Sequence, residues 1–325
     1  MRKKVFVALR MSGIAGQEKL GGIFRFLGDD RDWDITLIRS AEEFTPKRVK
    51  SALAEGYDGF IVSIPDTEKA AALLADTDIP TVVMDIHDPK LSARRKNIVF
   101  IRNSPEEIGR AAAHHLMQIG RCRSYAFIHN PSVLEWSVDR FRAFRTTLRD
   151  HGFWCHELEG PDRLRDLERP IGVLAANDDR GFDVLEYCRT RRLRVPEDVL
   201  VLGINNDTII CENSRPRLSS IQPDFEQEGF LAAKHLFDLP AERTVFVGVK
   251  EVVRRDSTAE TSHSGKLVQK AVAYIRKNAC RSIGVNDVVA HLGCSRRLAD
   301  LRFRQLQGTT IGGMIADVRL REVKR

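Results

Sequence analysis

Ile171-Gly172-Val173-Leu174-Ala175, followed by the helical stretch 179–191 and then by Leu200-Val201-Leu202-Gly203-Ile204, decides the fold of this chain. Short apolar runs rich in branched side chains flank an amphipathic segment. Strand, helix and strand in that succession require a parallel pair joined by a right-handed crossover. The pattern repeats outward. Further strands are predicted over 4–9, 34–38, 59–63, 81–85 and 124–129, and helices over 17–29, 46–55, 67–75, 105–119 and 136–151. Leu20, Ile23, Phe24 and Leu27 recur at helical spacing and are predicted to form the buried face of the helix over 17–29. Gly56 stands where a glycine ends a helix, and Pro105 and Gly120 bracket another. About four such units precede Asn103 and about three follow it, which predicts an α/β protein of two lobes, each a doubly wound parallel sheet.

Charge divides the chain differently. The sequence has 325 residues, and residues 265–325 hold 13 Lys+Arg against 4 Asp+Glu, a formal +9. The remainder holds 39 basic and 41 acidic residues, a formal −2. A near-neutral body carrying a small basic segment predicts a polyanionic partner for that segment alone. Length calls for more than one core, and 42% hydrophobic with 30% charged residues is a globular composition. No apolar run reaches the length of a membrane span, so no membrane partner is expected. The basic start Met1-Arg2-Lys3-Lys4 leads into an apolar run that ends at Arg10, with no small-x-small site after it. It reads as a buried first strand and not as an export signal. Six scattered cysteines without a C-x-x-C pair are expected as free thiols, which places the chain in the reducing cytoplasm. His114 and His115 are helical neighbours that face different sides, so no metal is expected.

In open α/β sheets ligands sit beyond the carboxyl ends of the strands. Here those ends are 10–12, 63–66, 85–88, 129–132, 177–178 and 205–207, rich in Arg, Asn, Asp and Ser. No phosphate loop, dinucleotide fingerprint or G-x-S-x-G elbow is present, so neither a cofactor nor a catalytic residue is expected. Gly13-Ile14-Ala15-Gly16 is too loose a match to a phosphate loop. Carboxylates and amides that grip paired hydroxyls, with an aromatic ring beside them, suit a polyol or sugar.

Asp139-Arg140-Phe141-Arg142-Ala143-Phe144-Arg145, Val173-Leu174-Ala175-Ala176-Asn177-Asp178, Gly203-Ile204-Asn205-Asn206-Asp207 and Pro216-Arg217-Leu218-Ser219-Ser220-Ile221 form an ordered string. It resembles the second lobe of the LacI/GalR-type, periplasmic-binding-protein-like sensors. The resemblance covers roughly residues 4 to 255 and is most specific over 136–221. It implies that Arg140 and Asn177 hold sugar hydroxyls. It implies the same of Asn205, where the family usually has aspartate, and more weakly of Asp85. Ala143 stands where glycine is usual. Trp136, one turn before Arg140, is placed to stack on a ring. Arg140 also reads as a surface arginine, Trp136 as a core residue, and Asn177 and Asp178 as caps of the following helix. Asp178 and Asp179, adjacent at a helix start, are poorly placed to converge as a catalytic pair.

The basic segment carries apolar residues at helical spacing. Helices are predicted over 267–278, with Val268, Ala271, Val272 and Ile275 inward, over 285–292, over 295–307, with Leu298, Leu301, Phe303 and Leu306 apolar, and over 311–323. The Gly293-Cys294 turn between the second and third makes a helix-turn-helix, with Ser295 as N-cap. Arg296 and Arg297 then stand at base edges, while Arg302 and Arg304 lie farther along, where phosphate contact is expected. The run 283–298, with Arg302-Phe303-Arg304, resembles the first of the two helix-turn-helix units of AraC-type regulators. The second unit is absent from the sequence up to Arg325, and a single unit is expected to bind DNA weakly.

The expected domains are therefore a sensor over 1–256, a linker over 257–265 and a partial AraC-type helix-turn-helix domain over 266–325. The order resembles xylose-operon-type transcriptional regulators. What that resemblance implies is a sugar-responsive regulator, with a pentose such as xylose between the lobes and double-stranded DNA and a second copy of the chain as partners. The alternatives are a non-regulatory sugar-binding protein and an α/β sugar-modifying enzyme.

Overall fold

The computed structural model describes residues 2–28, 33–63, 72–74, 76–85, 97–119, 122–131, 135–240, 242–259, 263–278, 281, 283–307 and 309–323. The chain forms two compact units, Met1–Thr258 and Ala259–Arg325.

In the first unit, β1 (Lys3–Leu9), β2 (Trp33–Ile38), β3 (Gly59–Ser63), β4 (Thr81–Met84) and β5 (Ile98–Asn103) build one sheet with β11 (Thr244–Val247), in the order β11-β5-β4-β3-β1-β2. β6 (Ser124–Ile128), β7 (Cys155–Leu158), β8 (Ile171–Ala175), β9 (Val199–Ile204), β10 (Ser219–Pro223) and β12 (Val249–Val253) build the second, ordered β12-β10-β9-β8-β6-β7. The β8–β9 pair is parallel, with Ile171 beside Val199 and Leu174 beside Leu202. Both strands are buried along their whole length because helices cover both faces of the sheet.

Two topological features depart from the sequence reading. β12 runs antiparallel to β10, so the second sheet is not wholly parallel. The lobes are also not divided once at Asn103. The chain returns to the first lobe for the helix Phe225–Phe237 and for β11, which pairs with β5, and then crosses back. The cause is apolar burial. Ala232, Ala233, Leu236 and Val247 complete the cluster around Val5, Val7, Leu9, Ile61, Val82 and Val99. Three chain crossings thus join the two lobes.

The helices of this unit are α1 (Ile14–Leu27), α2 (Pro46–Ala54), α3 (Pro105–Gln118), α4 (Glu135–Asp150), α5 (Asp178–Thr190), α6 (Thr208–Asn213) and α7 (Phe225–Phe237). The helix expected over 67–75 falls mostly outside the described residues. α1 rotates its faces relative to the expectation: Phe24 is 52% exposed, whereas Lys19 is 1% exposed on the inner face. The reason is the crossing with α7. A Cβ on Gly22 would lie 1.9 Å from the Glu226 carbonyl oxygen, and one on Gly229 would lie 1.9 Å from that of Lys19. Only glycine permits this approach, which draws Lys19 toward α7. Cys122, Cys155, Cys188, Cys211 and Cys294 are free thiols.

The second unit contains α8 (His263–Asn278), α9 (Val285–Leu292), α10 (Arg296–Gln307) and α11 (Ile311–Val323). Val268, Ala271, Ile275, Val288, Ala299, Phe303, Ile311 and Ile315 form its core. Of the apolar residues of α10, Phe303 points inward together with Ala299, whereas Leu298 and Leu301 are exposed at 37% and 50%. The Leu306 side chain lies outside the described residues. Gly293 closes α9 in the left-handed region at φ 64°. The Ser295 hydroxyl accepts the Leu298 N–H at 3.3 Å, so α10 starts one residue later than expected.

Candidate functional site

The strand ends of the two lobes of the first unit face each other across a cavity of about 440 Å³. Asp85, Trp136, Arg140, Asn177 and Asn205, the residues singled out from the sequence, all line it. So do Arg10, Lys19, Ser63, Arg102, Asn103, Asp178, Asp179, Asp207 and Phe225. Formal charges on the lining balance, and the wall offers donors and acceptors in comparable measure.

Arg140 projects from the first half of α4 and is buried. Its Nη1 donates to the Ala176 carbonyl at 2.7 Å and its Nη2 to Asn103 Oδ1 at 3.3 Å, while Nε has no partner among the described residues. The guanidinium carbon lies 4.8 Å from the Trp136 ring centre. Burial lowers the Arg140 pKa to about 10, against the opposing pull of Asp85, Asp178 and Glu228, and leaves the group charged at neutral pH. One residue earlier on each element, Arg102 Nη2 meets Asp139 Oδ2 at 3.3 Å. Consecutive pairs therefore bridge β5 of the first lobe and α4 of the second.

The floor of the first lobe carries two charges that sequence reasoning missed, Lys19 and Glu228, beside Asp85, which it named. Lys19 Nζ lies 2.6 Å from Asp85 Oδ2 and 3.1 Å from Glu228 Oε2, and the Ser63 hydroxyl bonds the same Asp85 oxygen. Burial pulls the Lys19 pKa down, but the two carboxylates outweigh it and leave it raised. Burial works against the charge on Asp85, yet Lys19 and Ser63 hold its pKa low. Glu228, buried on α7, is pushed up to about 7 by desolvation despite Lys19, and accepts from Asn103 Nδ2 at 3.2 Å. Asp85 sits in the left-handed region at φ 67°, which turns its carboxylate back toward Lys19. Lys19 was hidden among the apolar positions of its helix, and a lysine at a helical position reads as solvated.

Asn177 caps α5, its Oδ1 accepting the Arg180 N–H at 3.0 Å, and still lines the cavity. Capping and exposure to the cleft coincide. Asp178 is buried beneath it and accepts the Asp207 N–H at 2.7 Å and the Ser220 hydroxyl at 2.6 Å. Its role is internal, holding the 205–207 turn. Asn205 and Asn206 follow β9 with φ of 114° and 55°. This left-handed turn presents the Asn205 side chain, which makes no hydrogen bond among the described residues. Such a wall can grip several hydroxyls from both lobes at once.

In the second unit, Ser295, Arg296, Arg297 and Arg304 are exposed and Arg302 is half-buried. Arg296 is held by Asn286 Oδ1 at 3.5 Å and by Asp300 at 3.7 Å. Arg297, on the first turn of α10, has neither tie. No group of three or more His, Cys, Asp or Glu side chains among the described residues is placed to hold a metal ion. No helix there is long and apolar enough to cross a membrane.

A family model described as a periplasmic binding protein-like domain matches residues 113–258. The chain is 26% identical to the xylose operon regulatory protein of Escherichia coli (strain K12) over 349 aligned positions, covering 99% of this chain and 86% of that relative. It is 27% identical to the protein of the same name in Haemophilus influenzae over 289 positions, 82% of this chain and 74% of the relative. Among solved structures, a xylose-binding transcription activator superposes with a TM-score of 0.66 at 26% identity, covering 99% of this chain and 86% of that one. The fold is periplasmic-binding-protein-like.

Proposed function

We propose that this chain is a sugar-responsive transcriptional regulator. A pentose such as xylose occupies the cleft between the lobes, and the basic C-terminal unit reads double-stranded DNA through an AraC-type helix-turn-helix. The observation that carries the reading is the cleft wall itself. Arg140, Asn177 and Asn205 of the second lobe and Asp85 and Asn103 of the first converge on one cavity beside the Trp136 ring. Similarity to xylose operon regulators over nearly the whole chain supports the choice of sugar. Regulation requires no bond-breaking step, only unequal affinity of the ligand for two arrangements of the lobes. In the second unit, Arg296 and Arg297 face base edges, Ser295 fixes the helix start, and Arg302 and Arg304 meet phosphates. The chain acts in the cytoplasm as a homodimer, which brings two reading units to one duplex.

The test is a thermal-shift screen of the full chain over pentoses and hexoses, with sugar consumption followed in parallel. A ligand at a hundred times its Kd stabilises the fold by about 2.7 kcal/mol, an easily read rise in Tm. D-Xylose should raise Tm and remain unconsumed. No shift with any sugar would refute the reading, and turnover would favour the enzyme alternative.

A further inference from the structure

The turn that presents Asn205 is held from an unexpected direction. Asn206, in the left-handed region at φ 55°, has its N–H and both side-chain polar atoms engaged. Its N–H donates to Ser220 Oγ at 3.0 Å, its Nδ2 to Gln222 Oε1 at 3.1 Å, and its Oδ1 accepts from Arg255 Nη2 at 2.8 Å. Arg255 spreads its fork over three elements of the second lobe. Nε meets Glu212 Oε1 on α6 at 2.6 Å, Nη1 meets the Leu218 carbonyl ahead of β10 at 3.1 Å, and Nη2 meets the ligand turn. The side chain is only 6% exposed. No lysine could reproduce this, because one ammonium cannot span three separated acceptors.

Arg255 stands just before the point where the chain leaves the first unit. Its N–H donates to Ser219 Oγ at 2.8 Å, Ser257 Oγ donates to the Val201 carbonyl at 2.6 Å, and Thr258 Oγ1 donates to Ser219 Oγ at 2.7 Å. The unit ends at Thr258. The turn after β9 and the departing segment thus share one network, and Arg255 is the member that touches both.

We propose that Arg255 is the positioning residue of the ligand turn and ties occupancy at Asn205 to the exit segment 254–258, from which the chain runs on to its basic unit. A sugar taken by Asn205 loads the turn, and the fork passes that constraint to the segment that leaves the lobe. The ligand-bound half of this proposal rests on the sugar reading above; the ligand-free half does not.

Hydrogen exchange on the full chain, with and without D-xylose, tests both halves. In the parent, D-xylose should slow exchange over 205–207 and over 254–258. In Arg255→Ala without sugar, the amides of 206 and 207 should exchange about tenfold faster, as expected for a local opening made easier. With saturating D-xylose, that variant should keep protection over 205–207 and lose it over 254–258. Arg255→Lys should behave as Arg255→Ala. Should Arg255→Ala not fold, Asn206→Gly accepts the same backbone angles without the acceptor and should show the same loss over 254–258. Parental exchange at 206 and 207 in the variant, equal sugar protection over 254–258, or full rescue by lysine would each overturn the proposal. A parent that binds no sugar would defeat the functional reading, and the sugar-free comparison would then decide the role of Arg255 alone.

Discussion

Arg140 ties the cleft together because it is a charged donor brought into a wall that only partly satisfies it. Its two outer nitrogens are committed to Ala176 and Asn103, and its Nε is not. Replacing it with alanine removes a charged partner for hydroxyls and should cost about 2–5 kcal/mol of D-xylose affinity with the circular dichroism spectrum unchanged. Calorimetry giving the parental Kd would take Arg140 out of the site. A second side chain sets a pH dependence. Burial raises the Asp178 pKa from 3.8 to about 7, while hydrogen bonds from Ser220 and the Asp207 N–H oppose the rise. The folded protein therefore keeps a proton that the unfolded chain releases, so stability falls as pH rises from about 4 through about 7, by up to about 4 kcal/mol. Glu228 acts in the same direction. Asp178→Asn cannot charge, so its urea midpoint should decline less over this range than the parent's, and parallel slopes would refute the assignment. The sequence reading reached Asp85, Trp136, Arg140, Asn177 and Asn205 because strand ends and an ordered string point to them. It did not reach Lys19 and Glu228. They lie on separate helices far apart in the chain, and only the fold brings them within 3.1 Å.

Among the elements, most strands and helices up to β9 were legible because each is defined by its own periodicity, but β5 and the short β7 were not among the predicted strands. The return of α7 and β11 to the first lobe was not, since nothing local in residues 225–247 states which sheet they complete. Pairing of Thr244 with Phe100 and burial beside Val5 decide it, and both are long-range facts. The face of α1 was misread for a related reason. A stripe of leucines and phenylalanines predicts a buried side only when no neighbour demands another, and here the α7 crossing makes that demand. The crossing gives a sharp test. Gly229→Ala would press a methyl group into the Lys19 carbonyl, force the helices apart, and destabilise the first unit by about 1–3 kcal/mol. Gly21→Ala, on the same α1 with nothing within 4 Å of its added Cβ, should be neutral or stabilising by up to about 1 kcal/mol. Urea unfolding compares them, and equal midpoints would show that the close approach is not what the glycine provides.

At the level of the molecule, two units of different character share one chain. The first has several apolar clusters, its two lobes and a cleft, and the second has a single cluster centred on fully buried Phe303 with most of the basic excess around it. A core of that size supplies only a few kcal/mol of stability. Phe303→Ala should cost about 3–5 kcal/mol and unfold the second unit outright. The first unit shares no core residue with that cluster, so D-xylose affinity should stay at the parental value. Helical dichroism should fall, because α8 to α11 lose their common core. DNA binding should change in kind. Selection from a random duplex pool should enrich a motif with the parent and none with the variant. Salt-sensitive, sequence-blind retention should survive in both, because an unfolded segment keeps its +9 charge while losing the geometry that sets Arg296 and Arg297 at base edges. A variant that still enriches the parental motif, or one whose sugar affinity drops tenfold, would show that reading and sensing do not reside in separable units.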